Sequence, residues 1–199
     1  MNITLKFTRH LFRTLLLSLF ICLLINLLVA NNLHAQNTAI TDFTVSNSES
    51  QLLLYLTVKD CFTEDMESAI HNGIPATFTF YVDIYKKRSN WPDKQIREYE
   101  FNHVMEYDSL KKEYRIRRDE KGDSKLTTSP DMAKMLMSEI NGFKVFPLEE
   151  IEPNAFYIIR VKATLARKTL PLYFHYLIPF TSLWNFETEW HELTLHLAL

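Results

Sequence analysis

IPATFTFYVDIYKK, residues 74–87, alternates without a break. Ile74, Ala76, Phe78, Phe80, Val82 and Ile84 share one parity, and Thr77, Thr79, Tyr81, Asp83 and Tyr85 share the other. Side chains on a strand point to opposite faces in turn, so a period of two over this length predicts a long strand with one apolar face. The run ends in Lys86, Lys87 and Arg88, and SNWPD (89–93) supplies turn chemistry.

The neighbouring stretches obey the same rule. QIREYEFNHVMEYD (95–108) reads as the returning strand, with Arg97, Tyr99, Phe101, His103, Met105 and Tyr107 on one face and Glu98, Glu100 and Glu106 on the other. KKEYRIRRD (111–119) adds a shorter strand after a tight turn at Asp108–Ser109. Upstream, ITDFTVSN (40–47) and QLLLYLTVKD (51–60) read as a hairpin with Leu52, Leu54, Leu56 and Val58 inward. AFYIIRVKATLAR (155–167) places Tyr157, Ile159, Val161, Ala163 and Leu165 on one face and Arg160, Lys162 and Thr164 on the other.

Two helices punctuate this pattern. Thr63 caps the first, Glu64, Asp65 and Glu67 fill its first turn, Met66, Ala69 and Ile70 pack, and Gly73 ends it. SPDMAKMLMSEING (129–142) predicts the second, capped by Ser129, packing through Met132, Met135, Leu136 and Ile140, and stopped by Gly142. The expected fold is therefore mainly β: an antiparallel β-sandwich of about seven strands with two short helices.

Residues 1–35 read as an export signal. Lys6, Arg9 and Arg13 precede the apolar run TLLLSLFICLLINLLVA, and Ala35 is a suitable residue before the cut. The run is also long enough to suggest an uncleaved N-terminal anchor. Either way residues 36–199 form one domain, expected in the periplasm or on the outer face of the cytoplasmic membrane, with membrane contact only through the N-terminal segment if it is retained. Beyond residue 35 there are 19 Lys and Arg against 24 Asp and Glu. That acidic balance argues against nucleic acid as a partner. Cys61 is the one cysteine beyond residue 35, so no internal disulfide staples the domain. It reads as a small buried apolar residue.

Chemistry is weakly signalled. The chain has three glycines, Gly73, Gly122 and Gly142, and no glycine-rich phosphate loop. No G-x-S-x-G elbow occurs, and Cys61 lacks a cysteine-protease context. WHELTLHL (190–197) resembles H-E-x-x-H, but His191 and His196 are five apart. Two ligands on one helix face need a spacing of four, and an odd separation puts strand residues on opposite faces. Apolar positions are even at Trp184, Phe186 and Trp190 and odd at Leu193, Leu195 and Leu197, which predicts a bulge near residues 190–192. The stretch reads as the last strand, anchored by Trp190. No metal, cofactor or catalytic residue is assigned.

Two surfaces are candidates for binding. The first is Lys86, Lys87, Arg88, Trp91 and Asp93 at the strand turn, suited to an acidic partner or an anionic headgroup. The second is the exposed part of the aromatic run from Tyr173, including Trp184 and Trp190, which otherwise reads as core.

Several pieces resemble one family. GIPATFTFYVDIYKKRSNWPDKQI, YDSLKKEYRI, TLPLYF and WNFETEW, in this order and spacing, are similar to the bacterial family called domain of unknown function 4390 (DUF4390). The most specific are the Gly73-Ile74-Pro75 turn, the pair Trp91 and Asp93, and the Tyr107-Asp108 turn. The resemblance covers about Ile40 to Leu195. It implies an exported single domain with no assigned activity, and family genes that often neighbour a membrane-bound sensor kinase imply a role in envelope signalling. The expected function is a non-enzymatic interaction domain with an envelope or membrane protein partner, one that modulates a membrane sensor. The alternative is a carrier or sensor of an apolar small ligand, and a metal-dependent hydrolase is the least supported reading.

Overall fold

A computed structural model describes residues 38–165 and 186–196. The described residues form nine strands and two α-helices, in the order β1 (Ala39–Asn47), β2 (Gln51–Lys59), α1 (Glu64–His71), β3 (Ala76–Lys86), β4 (Lys94–Asp108), β5 (Glu113–Arg118), β6 (Asp123–Thr127), α2 (Pro130–Ser138), β7 (Glu139–Pro147), β8 (Phe156–Leu165) and β9 (His191–His196). All pairings between these strands are antiparallel. One sheet runs β1-β2-β7 and the other β6-β5-β4-β3-β8-β9. The mainly β, two-sheet expectation holds, with nine strands rather than seven.

The long alternating strand lies inside the larger sheet, between β4 and β8. Its apolar parity is the core: Phe78, Phe80, Val82 and Ile84 are at most 1% exposed. They share one cluster with Leu52, Leu54, Leu56 and Val58 of β2 and with Tyr157, Ile159, Val161 and Ala163 of β8. The predicted inward sets of these three strands are therefore in the core, and in β3 Thr77, Thr79 and Asp83 of the other parity are buried as well. Fully burying such side chains contributes about 1.5–3 kcal/mol each.

α1 forms as its punctuation demands. The Thr63 hydroxyl accepts from the Met66 amide at 3.1 Å, and Met66, Ala69 and Ile70 are buried. Gly73 closes it at φ +84°, donating to the Ile70 carbonyl while Ile74 donates to Ala69.

The second helix departs from expectation. It ends at Ser138, and Glu139 is already extended. Ile140 is buried in β7, not on the helix. Met132 and Met135 are 45% and 40% exposed, while Ala133 and Met137 are fully buried. The reason is competition: pairing of Glu139 and Ile140 with Thr57 and Leu56 of β2 takes over from the helical pattern. Gly142 does not stop a helix. It is the extra residue of a bulge, between Asn141 opposite Tyr55 and Phe143 opposite Leu54. Its φ of +72° suits glycine there. Val145 is a second extra residue in β7, and its carbonyl accepts from the Tyr99 hydroxyl at 2.7 Å.

β6 was not expected. It is a short edge strand, and its one large apolar residue, Leu126, is 57% exposed, so no alternation marks it.

Gly142→Ala tests the bulge. The added methyl would sit 3.5 Å from the Tyr55 hydroxyl, an ordinary contact, so the cost comes from backbone conformation alone. The expected loss is about 1–2 kcal/mol, read as a fall in Tm of roughly 2–8 °C by circular dichroism. An unchanged Tm would refute the assigned backbone.

Candidate functional site

The face of β3 turned away from the core is only partly wet. Asp83 is 6% exposed, and it is paired rather than solvated. Arg160 sits opposite it in β8, and both Nε and Nη2 donate to Asp83 Oδ2, at 3.2 and 3.0 Å. Arg160 Nη2 also donates to the Tyr85 hydroxyl at 2.7 Å, and that hydroxyl donates to Asp83 at 3.4 Å. The guanidinium lies 4.5 Å from the Tyr85 ring centroid and 4.8 Å from that of Trp190. Desolvation, with the Asp83 carboxylate, pushes the Tyr85 hydroxyl above its ordinary range, so it stays protonated.

Strand register extends this arrangement. The row Asp83–Arg160 continues to Glu192 of β9, and Glu98 of β4 lies on its other side. The next row is Tyr85, Ile158 and Thr194, and the one beyond pairs Phe156 with His196. These last two rings stack at 4.5 Å. The Lys87 amide donates to the Phe156 carbonyl at 2.8 Å, which sets Lys87 beside that row. Two adjoining clefts result. One, of about 310 Å³, is lined by Tyr85, Asp93, Ile158, Arg160 and Glu192. The other, of about 370 Å³, is lined by Lys87, Arg88, Ser89 and Phe156.

The sequence candidates fall unevenly on this face. Lys87 and Arg88 line the second cleft, Asp93 lines the first, and Trp91 projects from the turn, 74% exposed. Asp93 also accepts from the Arg88 amide at 3.2 Å, which fixes the turn. Lys86 has the opposite parity and pairs with Glu152, so the three basic residues are not one patch. Trp190 belongs to the face, 38% exposed and beside Arg160 and Lys162, and so it does not anchor the last strand in the core. Phe186 and Thr188 are the buried residues there. Trp184 lies outside the described residues, as do residues 1–35 and the aromatic run through residue 185.

Sequence reasoning missed Tyr85, Phe156, Ile158, Arg160 and Glu192 as site residues. The available signal was parity: each occupies the non-core phase of its strand.

The final strand resolves the histidine question. Thr164 pairs with Glu187, but Val161 pairs with His191, a register offset of one residue that places a bulge between them. The Thr188 hydroxyl accepts from the Ala163 amide at 3.0 Å within it. Beyond the bulge the register is regular, so His191 and His196 face opposite sides. No group of three or more His, Cys, Asp and Glu able to hold a metal occurs among the described residues.

Two other groups carry chemistry but are enclosed. His103 is fully buried beside the Phe80 ring; its Nδ1 donates to the Met137 carbonyl at 3.0 Å, and its Nε2 lies 2.9 Å from Glu120 Oε2. This pair ties β4 to α2 and to the β5–β6 turn. Cys61 is 3% exposed and its thiol donates to the Val58 carbonyl at 3.2 Å. Burial pushes the thiol up to about 12, so at neutral pH it is not a nucleophile.

In comparison with known proteins, the family described as domain of unknown function (DUF4390) matches residues 35–194. No curated protein and no solved structure matches the chain.

Two outcomes follow from the enclosed groups. Alkylation of Cys61 by iodoacetamide at pH 8, followed by peptide mass spectrometry, is expected only as fast as the protein unfolds; immediate labelling of native protein would contradict the burial. Glu120→Ala leaves a buried imidazole nitrogen unpaired and should lower stability by about 1–3 kcal/mol in a urea titration.

Proposed function

Because the chain belongs to the family described as domain of unknown function (DUF4390), we propose that it is an exported, non-enzymatic interaction domain that docks an envelope or membrane protein through the outer face of β3, β8 and β9. Export to the periplasm or to the outer face of the cytoplasmic membrane is supported by Lys6, Arg9 and Arg13 before a long apolar run. Modulation of a membrane sensor is the role this reading favours.

One observation carries the docking surface. Trp91, Phe156 and Trp190 are 74%, 46% and 38% exposed around a face that also presents Tyr85 and Arg160. Tryptophan, tyrosine and arginine are the residues that dominate binding at protein interfaces, and large exposed aromatics are otherwise kept few. The Arg160–Asp83–Tyr85 arrangement holds the face rigid, so little side-chain freedom is lost on docking.

Photo-crosslinking in the host tests this. A photoreactive phenylalanine analogue at position 91 should yield a discrete adduct with an envelope protein, and the same analogue at position 126 on β6 should not. Phe156→Ala with Trp190→Ala should abolish the adduct while holding stability within about 1 kcal/mol. An equal adduct from position 126, or one that survives the double substitution, would refute the assigned surface.

A further inference from the structure

We propose that the outer face of β3, β8 and β9 takes an extended segment of the partner in which a basic and an acidic side chain stand four residues apart, with an apolar residue midway. This rests on the docking reading and names the partner's chemistry.

The two ends of the face carry opposite unmatched charge. At the Arg160 end, Arg160 is held by Asp83 and Lys162 by Glu187. Glu192 lines the cleft with Arg160, and Glu98 lies one strand beyond Asp83. Among the described residues Glu192 and Glu98 make no ion pair, so the surplus there is negative. At the Phe156 end, Lys87 and Arg88 are exposed and make no ion pair among the described residues, Asp93 accepts from the Arg88 amide, and Glu152 is taken by Lys86 on the opposite parity. Two cations against one carboxylate leave the surplus there positive. Ile158 lies between the two ends, half-buried, with the Phe156 ring beside it.

The spacing follows from register. Glu192 pairs with Arg160 and His196 with Phe156, four residues along each strand. At a rise of about 3.3 Å per residue the two rows are roughly 13 Å apart. An extended guest presents residues i, i+2 and i+4 on one side over the same length. A lysine or arginine then meets Glu192, a leucine or similar residue meets Ile158 and Phe156, and an aspartate or glutamate meets Lys87 and Arg88. An anionic lipid surface would match one end and be repelled at the other.

Fluorescence anisotropy with the full-length chain tests the pattern. The probe is a dye-labelled peptide Thr-Lys-Thr-Leu-Thr-Glu-Thr-amide. A control moves the acid by one position, Thr-Lys-Thr-Leu-Glu-Thr-Thr-amide, which turns it to the other side. The first should bind about three- to fivefold tighter, the size of an exposed charge contact. Glu192→Lys should erase that advantage and instead favour Thr-Glu-Thr-Leu-Thr-Glu-Thr-amide. Equal binding of probe and control, or indifference to the Glu192 substitution, overturns the pattern. Competition by phosphatidylglycerol vesicles as strong as by unlabelled probe overturns it too, in favour of a simple basic patch. A crosslinked partner without the peptide preference removes this pattern and leaves docking standing; the preference without a crosslinked partner removes docking and leaves the pattern.

Discussion

Burial of Phe78, Phe80, Val82 and Ile84 is the constraint from which the rest of the structure follows. These side chains fix which face of β3 is inner, and the strand is paired on both edges, so its phase is passed to β4 and β8 through the ladders. A slip of one residue anywhere in this set would expose an apolar row and bury a charged one. The inner face selects the sheet that packs against it, through Leu52, Leu54, Leu56 and Val58. The outer face is then determined with no further choice, and Asp83 falls on it.

That placement has an electrostatic consequence. A carboxylate as enclosed as Asp83 needs a partner, since removing an ion from water is costly. Arg160 is the partner because the β3–β8 register sets it directly opposite. The guanidinium in turn gathers Tyr85 and Trp190 against its faces. The outer face is therefore an ordered arrangement of charge and ring, organised by the same alternation that builds the core.

Elements whose signal is local were legible in the sequence. The β1–β2 hairpin, the Thr63 cap and the alternation of β3 each lie within 21 consecutive residues, the length of the hairpin from Ala39 to Lys59. Even the parity change around Trp190 announced its bulge. The boundary between α2 and β7 was not legible, because Glu139 and Ile140 continue a helical pattern and Gly142 looks like a stop. Only pairing with β2, more than eighty residues earlier in the chain, decides it. The candidate site divides in the same way. Lys87, Arg88, Trp91 and Asp93 were visible as a cluster in one turn. Arg160, Glu192 and Phe156 were not, since they join that turn through register between strands far apart in sequence.

The bulge between Glu187 and His191 governs which changes in length this part of the chain tolerates. Before it, Phe186 and Thr188 point inward; after it, Leu193 and Leu195 do, opposite Ile159 and Tyr157. Loss of one residue at the bulge would join the two phases in one regular strand, with Leu193 and Leu195 still inward and still opposite the same residues of β8. Gain of one residue would need a second unpaired position, or would turn Leu193 and Leu195 outward and Glu192 and Thr194 inward. The bulge is thus the point at which this part of the chain tolerates losing a residue.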